Sequence, residues 1–290
     1  MEAGGWDAAA VGAKAIAYAA TLGAAGSIFF LGYGANLLHR PQLGRIRRLI
    51  GISLIVAASA SCLRVLLSAA AMSGEISGMF DAGFERMILG AGEGRALGAR
   101  IAGLSLAALA LSPKRSFRTP AFAGAAIASI SFALVGHVQR LMPNVLPCLL
   151  LCAHLLCAAF WLGALAPLWI VARDGNCSQV AALASRFGRI ALGVVVLLLC
   201  AGAGLLWTLI VSAAPFWSSD YGRMMAVKLF FVAALLGVAA VNRLSLTPRL
   251  LNGHDAAMGQ FKRNVRAEIA LGALILLVTA TFTTLSGPPR

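Results

Sequence analysis

The sequence predicts an all-α, polytopic membrane bundle of about eight transmembrane helices, and three observations lead there. Of the 290 residues, 60% are hydrophobic and only 12% charged, with a mean hydropathy of +0.87; a soluble globular chain runs nearer ~45–50% apolar and ~25% charged. The apolar residues gather into eight runs of spanning length. The basic residues gather into the connections between alternate runs. This composition excludes a water-soluble enzyme, and it excludes disorder because so much surface can be buried. The net charge of +14 would suggest a nucleic-acid partner for a soluble chain. Here loops held at a cytoplasmic membrane face account for it, and no nucleic acid is expected.

A membrane-spanning helix needs ~20 mostly apolar residues. The first run, Ala8 to Leu37, follows an N-terminus without a basic segment and is too long for a cleavable signal, so it should persist as a helix. The second is Leu49 to Met72. The third, Gly94 to Leu111, is interrupted near its start by Arg95 and Arg100, and the fourth is Thr119 to Val138. Pro147 to Val171, Val180 to Val211, Tyr221 to Val241 and Ala267 to Leu285 complete the set. The first and sixth exceed the bilayer thickness and should tilt or project into water. Gly12, Gly23, Gly26, Gly32 and Gly34 in the first, with Gly193, Gly202 and Gly204 in the sixth, permit close helix contact. Between the second and third runs, Ser73 to Glu93 mixes Phe80, Phe84, Met87, Ile88 and Leu89 with acids and glycines. That pattern suits a short amphipathic segment on the membrane surface.

Loop charge sets the orientation. Arg40, Arg45, Arg47, Arg48, Lys114, Arg115, Arg118, Arg173, Arg186 and Arg189 fall on one face, with Arg243, Arg249, Lys262, Arg263 and Arg266. Glu2, Asp7, Glu75, Asp81, Glu85, Glu93 and Asp220, seven of the ten acids, fall on the other. The positive-inside rule places the basic face in the cytoplasm and both termini in the periplasm of a bacterial inner membrane. The whole of residues 1–290 reads as one membrane domain, with helices 1–4 over about 8–138 and helices 5–8 over about 147–285.

An ionisable side chain costs at least ~2.5–3.5 kcal/mol at the centre of a membrane helix on insertion scales, so each needs a reason. Lys14 and Arg95 lie near helix ends and can snorkel. Arg64 and Lys228 sit deeper, facing either an acid of the same side (Glu75, Glu93, Asp220) or an anionic ligand group. His39 and His254 fall among loop residues, whereas His137 and His154 fall inside sequential, antiparallel helices near the periplasmic side. Two imidazoles at similar depth point to a metal or haem iron. Met1, Met72, Met79, Met87, Met142, Met224 and Met225 share that side and only Met258 does not; thioether with imidazole suits copper, Cu(I) above all. The fifth run adds Cys148 and Cys152, which share one helix face, while His154, Cys157 and Trp161 form another stripe. Cys62 and Cys200 read as small apolar residues. The metal candidates are therefore His137, His154, Met142, Cys148 and Cys152. Arg64 and Lys228 become cofactor contacts only if haem or another anionic ligand binds.

The pattern Gly136-His137, then His154 followed seven residues on by Trp161-Leu162-Gly163, resembles the copper resistance protein D (CopD) family of bacterial inner-membrane proteins. Tyr221-Gly222-Arg223 leading to Lys228-Leu229, Asn242-Arg243 with Pro248-Arg249-Leu250, and Glu268 continue the resemblance from His137 to Pro289. The first four helices match only in number and topology. The resemblance implies copper handling, typically import from periplasm toward cytoplasm and often with a periplasmic copper-binding partner of the CopC type, here a separate protein; no enzyme activity is expected unless bound haem brings redox activity. Two alternatives stay open: a b-type haem redox protein on the same histidines, with Arg64, Lys228 or Arg100 at the propionates, and a copper-delivery factor for oxidase assembly. Arg243 and Glu268, at adjoining helix ends, are expected to form a structural ion pair.

Overall fold

A chain this apolar satisfies its backbone polar groups in lipid by forming helices, since each helix hydrogen-bonds within itself. The computed structural model describes residues 3–135, 145–212 and 216–285, and the regular structure among them is helical throughout. The elements are α1 (Ala3–Gly34), α2 (Arg40–Ser73), α3 (Ala82–Gly90), α4 (Gly92–Ala107), α5 (Arg118–Ile130), α6 (Val145–Asp174), α7 (Cys177–Ser212), α8 (Asp220–Val241), α9 (Thr247–Leu251) and α10 (Ala257–Leu285). Short 3-10 turns extend several of them, and one π-turn, Asn242–Leu246, joins α8 to α9. Eight stretches among the described residues are long and apolar enough to span: Gly5–Leu37, Arg40–Ser73, Gly92–Leu111, Arg115–Leu134, Val145–Asp174, Cys177–Val211, Asp220–Leu251 and Ala257–Leu285.

The eight expected spans are present, and two begin well before their apolar runs. α2 starts at Arg40 and α10 at Ala257, because arginine, lysine and glutamine support a helix as well as most apolar residues do. Local chemistry fixes the ends. At α2, Pro41 occupies the first turn and the Gln42 side chain accepts from the His39 N–H at 3.0 Å. The helix stops at Gly74, whose φ of +78° is left-handed and open to glycine. The expected amphipathic segment is α3, capped by Asp81 Oδ1, which accepts from the Gly83 and Phe84 N–H groups at 2.7 and 3.2 Å.

α1 is the hub, packing on α2, α5, α6 and α10. Its approach to α6 is backbone on backbone: a Cβ at Gly26 would overlap the Ala159 carbonyl oxygen and Gly163. A Cβ at Gly163 would meet the Leu22 carbonyl oxygen and Gly26 in turn. Dispersion between closely fitted helices replaces the hydrophobic effect as the cohesive force inside lipid, and glycine permits that fit. One continuous core runs from Leu22, Ile28 and Phe30 of α1 through Ile46 and Ile50 of α2 to Trp161, Leu183 and Phe261 of α6, α7 and α10. Tyr33, Phe160 and Phe187 stack across α1, α6 and α7, with the two phenylalanine rings 5.9 Å apart and 15° from parallel. The two halves of the chain thus share one interior.

Candidate metal site

α6 carries His154 two turns before its buried Trp161. The ring turns toward α7, where Nδ1 lies 3.3 Å from the Leu198 carbonyl oxygen. A carbonyl oxygen can only accept, so Nδ1 carries the proton and Nε2 keeps its lone pair. That is how ligating histidines are oriented elsewhere, one nitrogen anchored and the other free to bind. Room for the ring comes from Gly202, where an added Cβ would sit 3.3 Å from Cε1 and 3.4 Å from Nδ1. This α7 glycine therefore serves His154, beyond the helix packing expected from its sequence.

Cys148 and Cys152 stand one turn apart on α6 as free, half-buried thiols. Two residues, or about 200° of helix rotation, separate Cys152 from His154, so the thiol pair and the imidazole face apart. Cys157 is buried in the core beside Trp161. His137 and Met142 lie outside the described residues. Among the described residues no three His, Cys, Asp or Glu side chains converge on a point suited to a metal ion.

Lys228 of α8 lies close enough to His154 for its charge to act on the ring, and its Nζ is 5.8 Å from the centre of the Phe282 ring. The other deep cations gather at the same, acidic end of the bundle. Arg64 forms an ion pair with Glu93, one of the partners expected for it, with side chains 18% and 30% exposed. Lys14 donates to the Thr283 carbonyl at 2.9 Å. Arg100 is only 2% exposed. Its Nε donates to Ser131 Oγ at 3.0 Å and its Nη1 to Ser61 Oγ at 3.4 Å, and its guanidinium stands 3.7 Å above Phe132. No carboxylate pairs with Arg100 among the described residues. Lys14, Arg64 and Arg100 against Glu93 leave α1, α2 and α4 with surplus positive charge at this end, which repels a metal cation.

The expected Arg243–Glu268 ion pair does not form. Arg243 donates through Nη1 to the Gly188 carbonyl of α7, while Glu268 Oε1 accepts from Asn242 Nδ2 at 2.5 Å. The cause is the π-turn that begins at Asn242. Its wider turn alters the angular placement of successive side chains, and Asn242 rather than Arg243 faces α10. Asn242, Gly188, Leu198 and Gly202 were not singled out as site residues from sequence. Only Asn242 carried a signal, standing beside Arg243 in the motif.

Fold and charge together define a polytopic α-helical membrane protein whose unusual chemistry, among the described residues, lies in buried cations, an oriented imidazole and a buried carboxylate. Two family models match it: "Copper resistance protein D-like, N-terminal domain" over residues 5–140 and "Copper resistance protein D" over residues 181–282. The chain belongs to the copper resistance protein D family and is a multi-pass inner membrane protein. It is similar to Inner membrane protein YebZ of Escherichia coli (strain K12), 30% identical over 136 residues, which is 46% of this chain and 46% of that protein. The match thus spans about half the length of that relative. No solved structure matches the chain.

Proposed function

We propose that this protein handles copper, carrying it from the periplasm toward the cytoplasm through a site at the periplasmic end of α6. The observation that carries the reading is His154, whose Nδ1 is anchored on Leu198 and whose Nε2 is thereby free as a ligand. Membership of the copper resistance protein D family supplies the metal. The direction is the one that the family resemblance implies, and the charge asymmetry of the loops supports an orientation with the acidic end outward. His137 and Met142 precede α6 in the chain and are the expected companions, a nitrogen and a thioether that suit Cu(I). Cys148 and Cys152 are reserve thiols on the opposite face of α6. Lys228 beside His154 weakens the hold on any cation, which suits passage better than storage. A separate periplasmic protein of the CopC type would deliver the metal.

The test is copper stoichiometry on purified, folded protein, with uptake of copper into proteoliposomes. His154→Ala and His137→Ala should each remove most bound copper and uptake, whereas His39→Ala and His254→Ala should not. Full copper retention by both folded variants, His154→Ala and His137→Ala, would refute the site. An intense Soret band in the wild type would instead assign the same histidines to a b-type haem.

A further inference from the structure

Toward its basic end the bundle encloses a cavity of about 200 Å³. α6 and α10 form the back wall, and α7 and α8 the two sides. α7 packs along α6 and, toward the basic end, meets the α8 arm at the π-turn and at α9, where Arg243 reaches Gly188. At the other end Leu206, Leu209 and Ile210 of α7 pack against the cluster of Tyr221, Met225 and Phe282, and between these two contacts α7 and α8 stand apart. The cavity is therefore closed toward the basic end and open sideways, between α7 and α8, to the bilayer. Leu192 marks the opening, lining the cavity while remaining 54% exposed.

The wall is aromatic and the floor is polar. Trp161, Phe187 and Phe261 line it, with Glu268, Asn242 and Arg243 among them. Glu268 is 4% exposed and Asn242 7%. The pair does not satisfy itself: Asn242 Oδ1 has no hydrogen-bond partner, and no cation pairs with Glu268 among the described residues. Thr247 cannot help, because its hydroxyl already donates to the Asn242 carbonyl at 2.8 Å. The buried acceptor left without a donor is therefore Asn242 Oδ1, beside a carboxylate whose one donor among the described residues is the same carboxamide.

The surroundings select the donor. A metal ion would find two hard oxygens and no further ligands, with a guanidinium alongside. An ammonium head would meet the same guanidinium. A plain hydrocarbon would leave Asn242 Oδ1 unserved. A hydroxyl group donates to the orphaned Asn242 Oδ1 without setting a charge beside Arg243, so it suits this lining. The size agrees, since an apolar cavity of roughly 150 Å³ holds one benzene ring.

We propose that this cavity binds a hydroxylated aromatic ring carried in the bilayer, of the phenol or hydroquinone class. The ring enters between α7 and α8, lies among Trp161, Phe187 and Phe261, and donates its hydroxyl to Asn242 Oδ1 beside Glu268. The site stands independently of copper.

The experiment uses the full chain in lipid nanodiscs and a brominated nonylphenol, whose bromine quenches tryptophan on contact. The Trp161 signal is the difference between wild type and Trp161→Phe. Saturable quenching of that signal is expected, at least ten-fold weaker with the matching brominated nonylbenzene, which lacks only the hydroxyl. Glu268→Gln should weaken the phenol ten-fold and leave the hydrocarbon unchanged, and Ala191→Phe, which fills the cavity, should abolish both. Quenching that never saturates, or equal binding of phenol and hydrocarbon to the wild type, would overturn the proposal without any variant having to fold.

Discussion

Substitution at Gly202 separates the orientation of His154 from its mere presence. An alanine Cβ there would stand 3.3 Å from Cε1 and 3.4 Å from Nδ1, tight contacts that a small ring shift relieves. Valine adds methyl groups about 1.5 Å further out, which no small shift accommodates, so the ring must leave the Leu198 carbonyl. The lost hydrogen bond is worth about 0.5–1.5 kcal/mol in itself. Its larger consequence is that the Nδ1 proton and the direction of Nε2 are no longer fixed. Loss of such an orienting contact typically costs ~10–100-fold in metal affinity. Cu(I) competition against a chromophoric chelator should therefore rank wild type, Gly202→Ala and Gly202→Val in falling affinity, with valine at least ten-fold down. His154→Ala should fall lowest. If Gly202→Val binds copper as tightly as wild type while His154→Ala does not, the Leu198 anchor is irrelevant to the site.

Three further outcomes follow from the geometry. Glu93→Gln strands Arg64 in a site between exposed and buried, so it should cost about 1–3 kcal/mol, between the values for surface and interior pairs; Arg64→Met added to it should restore part of the loss, and additive losses in denaturation by SDS would deny the coupling. Gly163→Leu drives a side chain into the α1 backbone and should destabilise by at least ~1–3 kcal/mol, while Gly193→Ala, with nothing within 4 Å of the new Cβ, should keep or slightly raise the melting temperature because alanine is the better helix former; similar melting points for the two would contradict the α1–α6 contact. Reporters fused after Ser116, Gly175 and Gly253 should report cytoplasm and one fused after Gly78 periplasm, and a consistent reversal would overturn the periplasmic placement of the His154 site.

The spans were legible because about twenty consecutive apolar residues have no other stable use in a chain of this composition. Their ends were not. Hydropathy falls where arginines begin at Arg40 and Arg45, yet helical hydrogen bonding continues through them, so α2 extends nine residues before the expected Leu49. Ionisable residues inside spans were legible as exceptions that needed partners, and Arg64 found Glu93 on its own side of the membrane. What charge complementarity could not reveal was the π-turn at Asn242, a backbone irregularity without a residue signature. It gives Glu268 to a carboxamide and sends Arg243 to the Gly188 carbonyl. His154 stood out as an imidazole in lipid, but its anchor and its space come from Leu198 and Gly202 on another helix, and neither residue type advertises such a role. The same limit hid the lateral cavity. Its aromatic walls read as ordinary span residues one helix at a time, and only the separation of α7 from α8 turns them into a pocket around Glu268. Apolar pattern fixes how many helices cross the membrane, whereas the chemistry is decided by which backbone groups the crossings leave beside the few polar side chains.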